Sequence, residues 1–544
     1  MREAPTGKTA HVDTFVRERL PKPEQWPTLL YDLPELDYAP QTNVVTELLD
    51  SHVAAGRGAR PVLRMESGDW TYEELRDKAN RLARVLTEDF GLVPGGRVLL
   101  RAPNNPMMIA CWMAVAKAGG VVVATMPLLR SRELSVIANK ANVSLALCDE
   151  RLMEEMESAY ESDCPLEKLL TFEDAERLAN AKPAEFETVA TAIDDPVLIA
   201  FTSGTTGVPK GCVHFHRDLL ASADTFFKRT IPCDASDVFT GSPPVAFTFG
   251  LGMHTVFPMR AGASTALVEK PSPEAILETC QRHGVTVLST APTAYRAMTP
   301  LVGSYDVSSL RHCISAGETL PLPTAEAWRD ATGLRIIDGI GATEMFHIFI
   351  SAVGDDIRPG ATGKPVYGYE AKVFDDEMHE APPDTVGRLA VRGPTGCRYL
   401  DDERQTSYVR DGWNFSGDAY LVDEDGYFWF QARADDMIIS AGYNISGPEV
   451  EEALLAHETV ADCACVASPD DERGNIVKAF VVLNGSYNGD AALVEALQSF
   501  VKERIAPYKY PRAITFVEAL PRTETGKVQR FKLRQEELER KKES

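Results

Sequence analysis

Between about Gly95 and Asp338 short apolar runs alternate with helical patterns. RVLLRA (97–102) precedes MMIACWMAVAKAG, and VVVATMP (121–127) precedes RELSVIANKA. Further on, VTVLST (285–290) precedes TAYRAMTP, and RHCISAG (311–317) precedes TAEAWRDATG. Continuous apolar strands, each followed by a helix, predict parallel sheets with helices packed over them. From about Glu370 to Phe430 the texture changes to hairpin-like strands, with Asp-Gly turns at 411–412 and 425–426. After Arg433 a smaller unit begins: helix PEVEEALLAHE, strands ADCACVAS and IVKAFVVL, and helix AALVEALQSFVKERI. The last residues, RQEELERKKES, predict a charged, solvated helix. The fold class expected is α/β: a large domain over 1–433 with a β-rich subdomain, then a small α+β domain over 434–544.

Composition narrows the functions this fold can serve. With 544 residues and 44% hydrophobic content, the chain can build a large core in more than one domain. A net charge of −24 argues against a nucleic-acid partner. Ten cysteines without paired zinc spacing read as reduced, mostly buried thiols of a cytoplasmic protein. The opening MREAPTGKTAHVD has no apolar core of a signal peptide, and no run approaches a membrane span, so no membrane partner is expected. A homodimer is the assembly to test.

The chemistry lies in five stretches. FTSGTTGVPKG (201–211) follows an aliphatic run and holds four hydroxyls, glycines and Lys210. Glycines let backbone N–H groups approach an anion, and the lysine adds charge, so this loop reads as a phosphate cradle. Lys210 stands between Pro209 and Gly211, which departs from the Gly-Lys-Ser/Thr succession of a P-loop. IIDGIGATE (336–344) ends an apolar strand and carries Glu344 just beyond it, a natural magnesium ligand beside a phosphate loop. In WNFSGDAY (413–420), Asp418 can accept from ribose hydroxyls. ARADDMIISAGYN (432–444) and PRTETGKVQR (521–530), with Lys527, complete the set.

In this order and spacing the five stretches resemble the adenylate-forming superfamily of acyl- and aryl-CoA synthetases, over roughly residues 45 to 535. The resemblance implies ATP, Mg2+ and coenzyme A. Thr202, Ser203, Gly204, Thr205, Thr206, Gly207 and Lys210 would hold the outer phosphates. Thr343 would approach the α-phosphate and Glu344 the metal. Gly317, Glu318, Asp338, Gly339 and Ile340 would line the nucleotide, and Asp418 with Arg433 the ribose. Lys527 would be the catalytic lysine, Gly442 would line the CoA tunnel, and Asp435 would be the hinge of a mobile C-terminal domain. Ala432, Asn444 and Ser416 depart from residues common at those positions.

For the acid, PPVAFTFGLGM (243–253) and GATEMFHIFIS (341–351) look most like benzoate- and 2-aminobenzoate-CoA ligases. Carried over by position, the ring pocket would be Phe247, Thr248, Phe249, Ala316, Gly317, Gly341, His347 and Ile348. Small residues on two walls and aromatic ones on a third leave a flat slot for one ring. Phe247 and Phe249 also read as core packing, and His347 as a satisfied buried histidine. Thr248 could accept from an ortho amine, so 2-aminobenzoate is the substrate expected, with benzoate or a hydroxybenzoate next. Two rivals remain: a stand-alone adenylating enzyme that loads a carrier protein, and a nucleotide-binding scaffold without catalysis. PVAFTFG has no carboxylate for an α-amine, which favours an aryl acid over an amino acid.

Overall fold

Each apolar run forms a strand close to its expected bounds. Arg97–Arg101 and Val121–Thr125 are buried at every residue, as strands covered on both faces must be. They belong to a six-stranded sheet ordered Lys168–Thr171, Leu145–Cys148, Arg97–Arg101, Val121–Thr125, Pro196–Thr202, Lys210–Phe215. Its strands are parallel except the last, which returns as a hairpin against Pro196–Thr202. The computed structural model describes residues 3–543 apart from 163, 203–208, 376, 434–435, 441–442, 471–472, 486, 488, 506 and 523–526. Ser203, Gly204, Thr205, Thr206, Gly207, Asp435 and Gly442 therefore lie outside the described residues.

A nine-stranded sheet faces the first. Its six central strands are parallel, in the order Ile336–Gly341, His312–Ala316, Val287–Thr290, Val238–Gly241, Ser264–Ala266, Pro61–Arg64. Its outer strands, Ile348–Ser351, Lys364–Pro365 and Trp70–Thr71, run antiparallel. One hydrophobic core contains Val98, Leu100 and Val122 from the first sheet and Phe239, Val287, Ile314 and Ile337 from the second. The helix Pro106–Lys117 contributes Met108 through Ala116 to it, because its apolar residues run all round the axis. Pro106 fits the first helical position, and Asn105 caps the helix by accepting from Met108 N–H at 2.9 Å.

The β-rich part is antiparallel: Glu370–Phe374, Gly387–Arg392, Val409–Arg410, Trp413–Val422 and Phe428–Arg433. Arg410 pairs with Trp413, and Asp411 (φ 49°) and Gly412 (φ 76°) between them form the mirror-image turn that matches strand twist. The second Asp-Gly lies in a longer connection, where only Gly426 has positive φ.

In the C-terminal unit, helices Gly447–Leu455 and Ala491–Arg504 and the strand pair Val460–Asp470 and Gly474–Leu483 match the pattern. A third strand, Ala513–Phe516, adds parallel to Gly474–Leu483 and had no clear signal. The last helix, Arg530–Glu543, is not solvated all round. Leu533 is buried, and buried Glu537 accepts from Lys478 Nζ at 2.6 Å and Ser468 Oγ at 2.7 Å. Residues four apart share a helix face, so one apolar and one acidic side chain suffice to dock it.

All ten cysteines are free thiols, eight of them buried. Among the described residues no helix is long and apolar enough to cross a membrane.

Burial pushes His216 down to about 3, His254 to about 4 and His347 to about 3, so all three are neutral in the fold. The unfolded chain takes up these protons near pH 6.5, whereas the folded chain does not. Their contribution is complete above about pH 6.5 and is lost as pH falls toward the folded values. Thermal melts should show a flat Tm from pH 7 to 8 and a drop of several degrees by pH 5. A Tm independent of pH down to 5 would mean these rings are protonated inside the fold.

Candidate active site

The parallel strands of the large sheet end together. Gly241 lies beside Ser289, Thr290 beside Ser315, and Ala316 beside Gly339, so their outgoing loops share one rim. Crevices beyond the carboxyl ends of such strands are where α/β sheets bind ligands. One loop leads to Phe247 and Thr248, the next carries Gly317 and Glu318, and the third carries Thr343 and Glu344. The other sheet contributes its hairpin, in which Thr202 and Lys210 face each other on either side of the phosphate-loop segment. His214 joins the two sheets: its Nε2 donates to the Thr343 carbonyl at 2.8 Å.

Charge is concentrated at this rim. Glu344 is buried, 7% exposed, and its Oε1 accepts from the Tyr399 hydroxyl and from Lys210 Nζ at 3.3 Å. Lys210 Nζ also donates to the Tyr399 oxygen at 2.9 Å and lies 4.9 Å from that ring's centre. Asp418 and Arg433 are opposite residues of an antiparallel pair, joined by Nη1 to Oδ1 at 2.8 Å. Gly417 has φ +78°, which favours glycine, and a Cβ there would lie 3.1 Å from Arg433 Nη2, a tight contact for the guanidinium.

Lys527 arrives from the C-terminal unit. Its Cε is 4.0 Å from where a Cβ on Gly317 would be, and Gly317 itself has φ +91°. Lys527 is exposed. Desolvation by nearby protein, with Arg433, lowers the ammonium pKa, and Glu318, Asp418 and Glu344 oppose the shift. Lysine, guanidinium and three carboxylates thus act on one volume.

Of the residues expected from the sequence to hold the acid, Phe249 and Gly341 lie against His347. His347 is buried among Phe257, Phe249 and Phe226, at ring-centre distances of 4.5, 5.3 and 5.5 Å. Neither nitrogen makes a hydrogen bond of good geometry, and the Phe249 backbone is the polar group that acts on the ring. Glycine at 252 is required, because a Cβ there would come within 2.7 Å of His347 Cδ2. Gly341 pairs with Ile348 in register, and Ala316 ends the neighbouring strand. Thr248 is 5% exposed, in the first turn of helix Thr248–Leu251, with partly buried Phe247 preceding it. Between Glu344 and His347, Phe346 sits at φ 70°, a strained conformation that packing must enforce.

Buried polar atoms without partners also collect here: Thr202 Oγ1, Tyr408 OH and Ser416 Oγ. Such atoms are costly in a folded protein unless a ligand satisfies them. Asp338 as a residue is partly exposed, but its Oδ1 is not, and burial pushes its carboxyl up to about 7. Tyr399, Tyr408 and His214 were not in the sequence-based set. Nothing local marks them, since their partners lie on distant segments.

A divalent ion fits this set only in one manner. Among the described residues no group of three acidic, histidine or cysteine side chains could cage a metal. Glu344 is a single hard-oxygen donor, which suits magnesium arriving on a polyphosphate that supplies its other ligands.

Comparison with known proteins gives the same picture. The profile of the AMP-binding enzyme family matches residues 51–398, and that of the AMP-binding enzyme C-terminal domain matches 449–527. Benzoate–CoA ligase of Thauera aromatica is 35% identical over 512 residues, covering 92% of this chain and 97% of that one. The crystal structure of the anthranilate CoA ligase AuaEII in complex with anthranoyl-AMP superposes with a TM-score of 0.88 at 33% identity, covering 93% of this chain and 99% of that one. A benzoate CoA ligase from Burkholderia xenovorans LB400 gives 0.83 at 31% identity, covering 91% and 100%.

Proposed function

The chain belongs to the AMP-binding enzyme family of adenylate-forming ligases, and on that premise we propose that it joins 2-aminobenzoate to coenzyme A through an aryl-adenylate. At the coarser level it is an aryl- or acyl-CoA ligase that uses ATP and CoA. The observation that carries the adenylation reading is Lys527 over Gly317, at the ends of the parallel strands.

The chemical problem is to bring an anionic carboxylate onto an anionic phosphate. An ammonium fixed between the two neutralises charge that builds in the transition state, and the surrounding protein strengthens the effect. Lys527 is that ammonium in our reading, and Thr343 faces the α-phosphate. Asp418, with its Oδ1 fixed by Arg433, receives the ribose hydroxyls. Thr202 and Lys210 flank the outer phosphates. Magnesium, when bound on those phosphates beside Glu344, withdraws charge from them. Thioester formation then needs the C-terminal unit to turn about Asp435 and bring Gly442 to the site. Residues 399–448 lie between the two family matches, and this interval, which contains Asp435, supports a boundary at 433/434.

The acid assignment is supported by Phe249 against His347, by Gly341 paired with Ile348, and by Thr248 buried in helix Thr248–Leu251. An ortho amine can donate to the Thr248 hydroxyl, whereas benzoate has no such donor. Thr248→Val keeps the shape and removes the acceptor. One lost hydrogen bond in a pocket costs about 1–3 kcal/mol, or roughly 5- to 150-fold in kcat/KM. The loss should fall on 2-aminobenzoate and spare benzoate, in an AMP-release assay with CoA over both acids. An unchanged ratio of the two kcat/KM values returns benzoate to first place. Pyrophosphate exchange without CoA-dependent AMP release, together with aryl transfer to a supplied carrier-protein thiol, would favour the carrier-protein reading.

A further inference from the structure

We infer that Tyr399 is a positioning residue that sets Glu344 for the metal-bound nucleotide and parks Lys210 until it arrives. This rests on reading Glu344 as the magnesium ligand. Tyr399 reaches the site from outside every stretch that carries the sequence resemblance. It is 1% exposed, and its hydroxyl donates to Glu344 Oε1, so that one carboxylate oxygen is fixed. The same hydroxyl accepts from Lys210 Nζ at 2.9 Å. A phenol has one proton to give and lone pairs to receive, so both bonds coexist without conflict. A hydrogen bond to an ionised acceptor is about twice as strong as a neutral one, enough to hold a carboxylate in one rotamer.

The tyrosine is itself held. Its N–H donates to Gln405 Oε1 at 2.9 Å, and Gln405 Nε2 donates to the carbonyls of Gln25 at 2.8 Å and Cys397 at 3.1 Å. It forms a bridge with Cys212 in the hairpin strand Lys210–Phe215, flanked by hydrogen bonds from Val213 N–H to Arg398 O and from Leu400 N–H to Gly211 O, both 2.8 Å. Its ring meets Tyr408 edge-on at 5.7 Å, and Lys210 Nζ lies 4.9 and 5.8 Å from the two ring centres. Two aromatic faces and one carboxylate make a seat for a cation. A polyphosphate competes with that seat for Lys210, and Glu344, still held by the tyrosine, then faces the incoming metal. The hydroxyl therefore acts on the nucleotide through Glu344 and touches no reacting atom.

Tyr399→Phe removes the hydroxyl and keeps the ring. Calorimetric titration of ATP at several magnesium concentrations, with aryl acid absent, reads binding without turnover. The inference expects Mg-ATP affinity to fall roughly 10-fold or more, with a higher magnesium concentration needed for half-saturation. Tm should stay near that of the wild type, and thioester formation from supplied aryl-AMP should be unchanged. Glu344→Gln serves as the reference. If Glu344→Gln weakens Mg-ATP binding and Tyr399→Phe does not, the positioning role is wrong and the metal assignment stands. If Glu344→Gln leaves the magnesium dependence intact, the metal assignment fails and takes the inference with it. A lowered Tm with both half-reactions reduced alike would make Tyr399 a structural residue and overturn the proposal.

Discussion

Replacing Lys527 with alanine is expected to slow aryl-adenylate formation roughly 100- to 1,000-fold and to leave thioester formation from supplied aryl-AMP near the wild-type rate. The first figure corresponds to removing a preorganised charge from a developing anion, about 2.7–4 kcal/mol. The other cations described nearby are engaged: Arg433 is bonded to Asp418, Lys210 to Glu344 and Tyr399, and Arg522 to Asp462, while Lys527 comes over Gly317 from the C-terminal unit. The second half of the expectation follows from the proposed rotation, after which the lysine has left the site. ATP–pyrophosphate exchange reads the first half-reaction, and thiol-dependent loss of aryl-AMP reads the second. Equal losses in both would remove either the rotation or the catalytic role of the lysine.

The other large effect concerns the frame. Arg398→Met should destabilise the large domain by about 3–5 kcal/mol, because it strands a buried carboxylate. Asp218 and Arg398 are each 0% exposed, joined Oδ2 to Nη1 at 2.9 Å. Asp218 Oδ2 also accepts from Phe215 N–H at 2.9 Å, at the start of helix His216–Ser222. The guanidinium lies 4.3 Å from the Phe215 ring centre and 4.9 Å from that of Trp26. Burial pushes the Asp218 carboxyl up, but Arg398, His214 and Arg217 together outweigh it and hold the group at about 2. Burial pushes Arg398 down, against the pull of Asp218. Arginine starts so high that the pair is ionised at any working pH. The carboxylate's contribution is present above its unfolded pKa near 3.9 and is lost as pH falls toward 2. Urea unfolding followed on the large domain measures the single variant. The double variant Arg398→Met with Asp218→Leu should recover most of the loss, since two apolar residues leave no stranded charge. Equal instability in single and double variants would show that packing, not charge, supports this region.

Arg398 and Asp218 also show where sequence reading stops. The strands, most helices and the five chemical stretches were legible because each is a local pattern. An apolar run must be buried, an Asp-Gly pair turns a hairpin, and a glycine-rich loop after a strand admits an anion. Residue type and spacing carry these whatever the rest of the chain does. Even the Lys527 loop was readable as a motif, though not the fact that it overlies Gly317.

What the pattern left open was which distant groups would meet. Glu344 is held by Tyr399 across 55 positions, Lys210 by Tyr399 across 189, and His214 reaches Thr343 across 129. A tyrosine in RYLDDERQ, or a histidine in a buried strand, has no periodicity that tells structural from functional use. The terminal helix is the same lesson at smaller scale. Its charged composition predicts a solvated element, yet Leu533 and Glu537 dock it, because Lys478 and Ser468 wait on the sheet beneath. Likewise the rings of Phe226, Phe249 and Phe257 meet His347 from distant segments, which no local spacing relates to it. Composition and local spacing thus determined the class of element and the class of chemistry. Only tertiary packing decided which charges were brought out of water together, and in a low-dielectric interior that pairing fixes both the stability of the frame and the state of its catalytic groups.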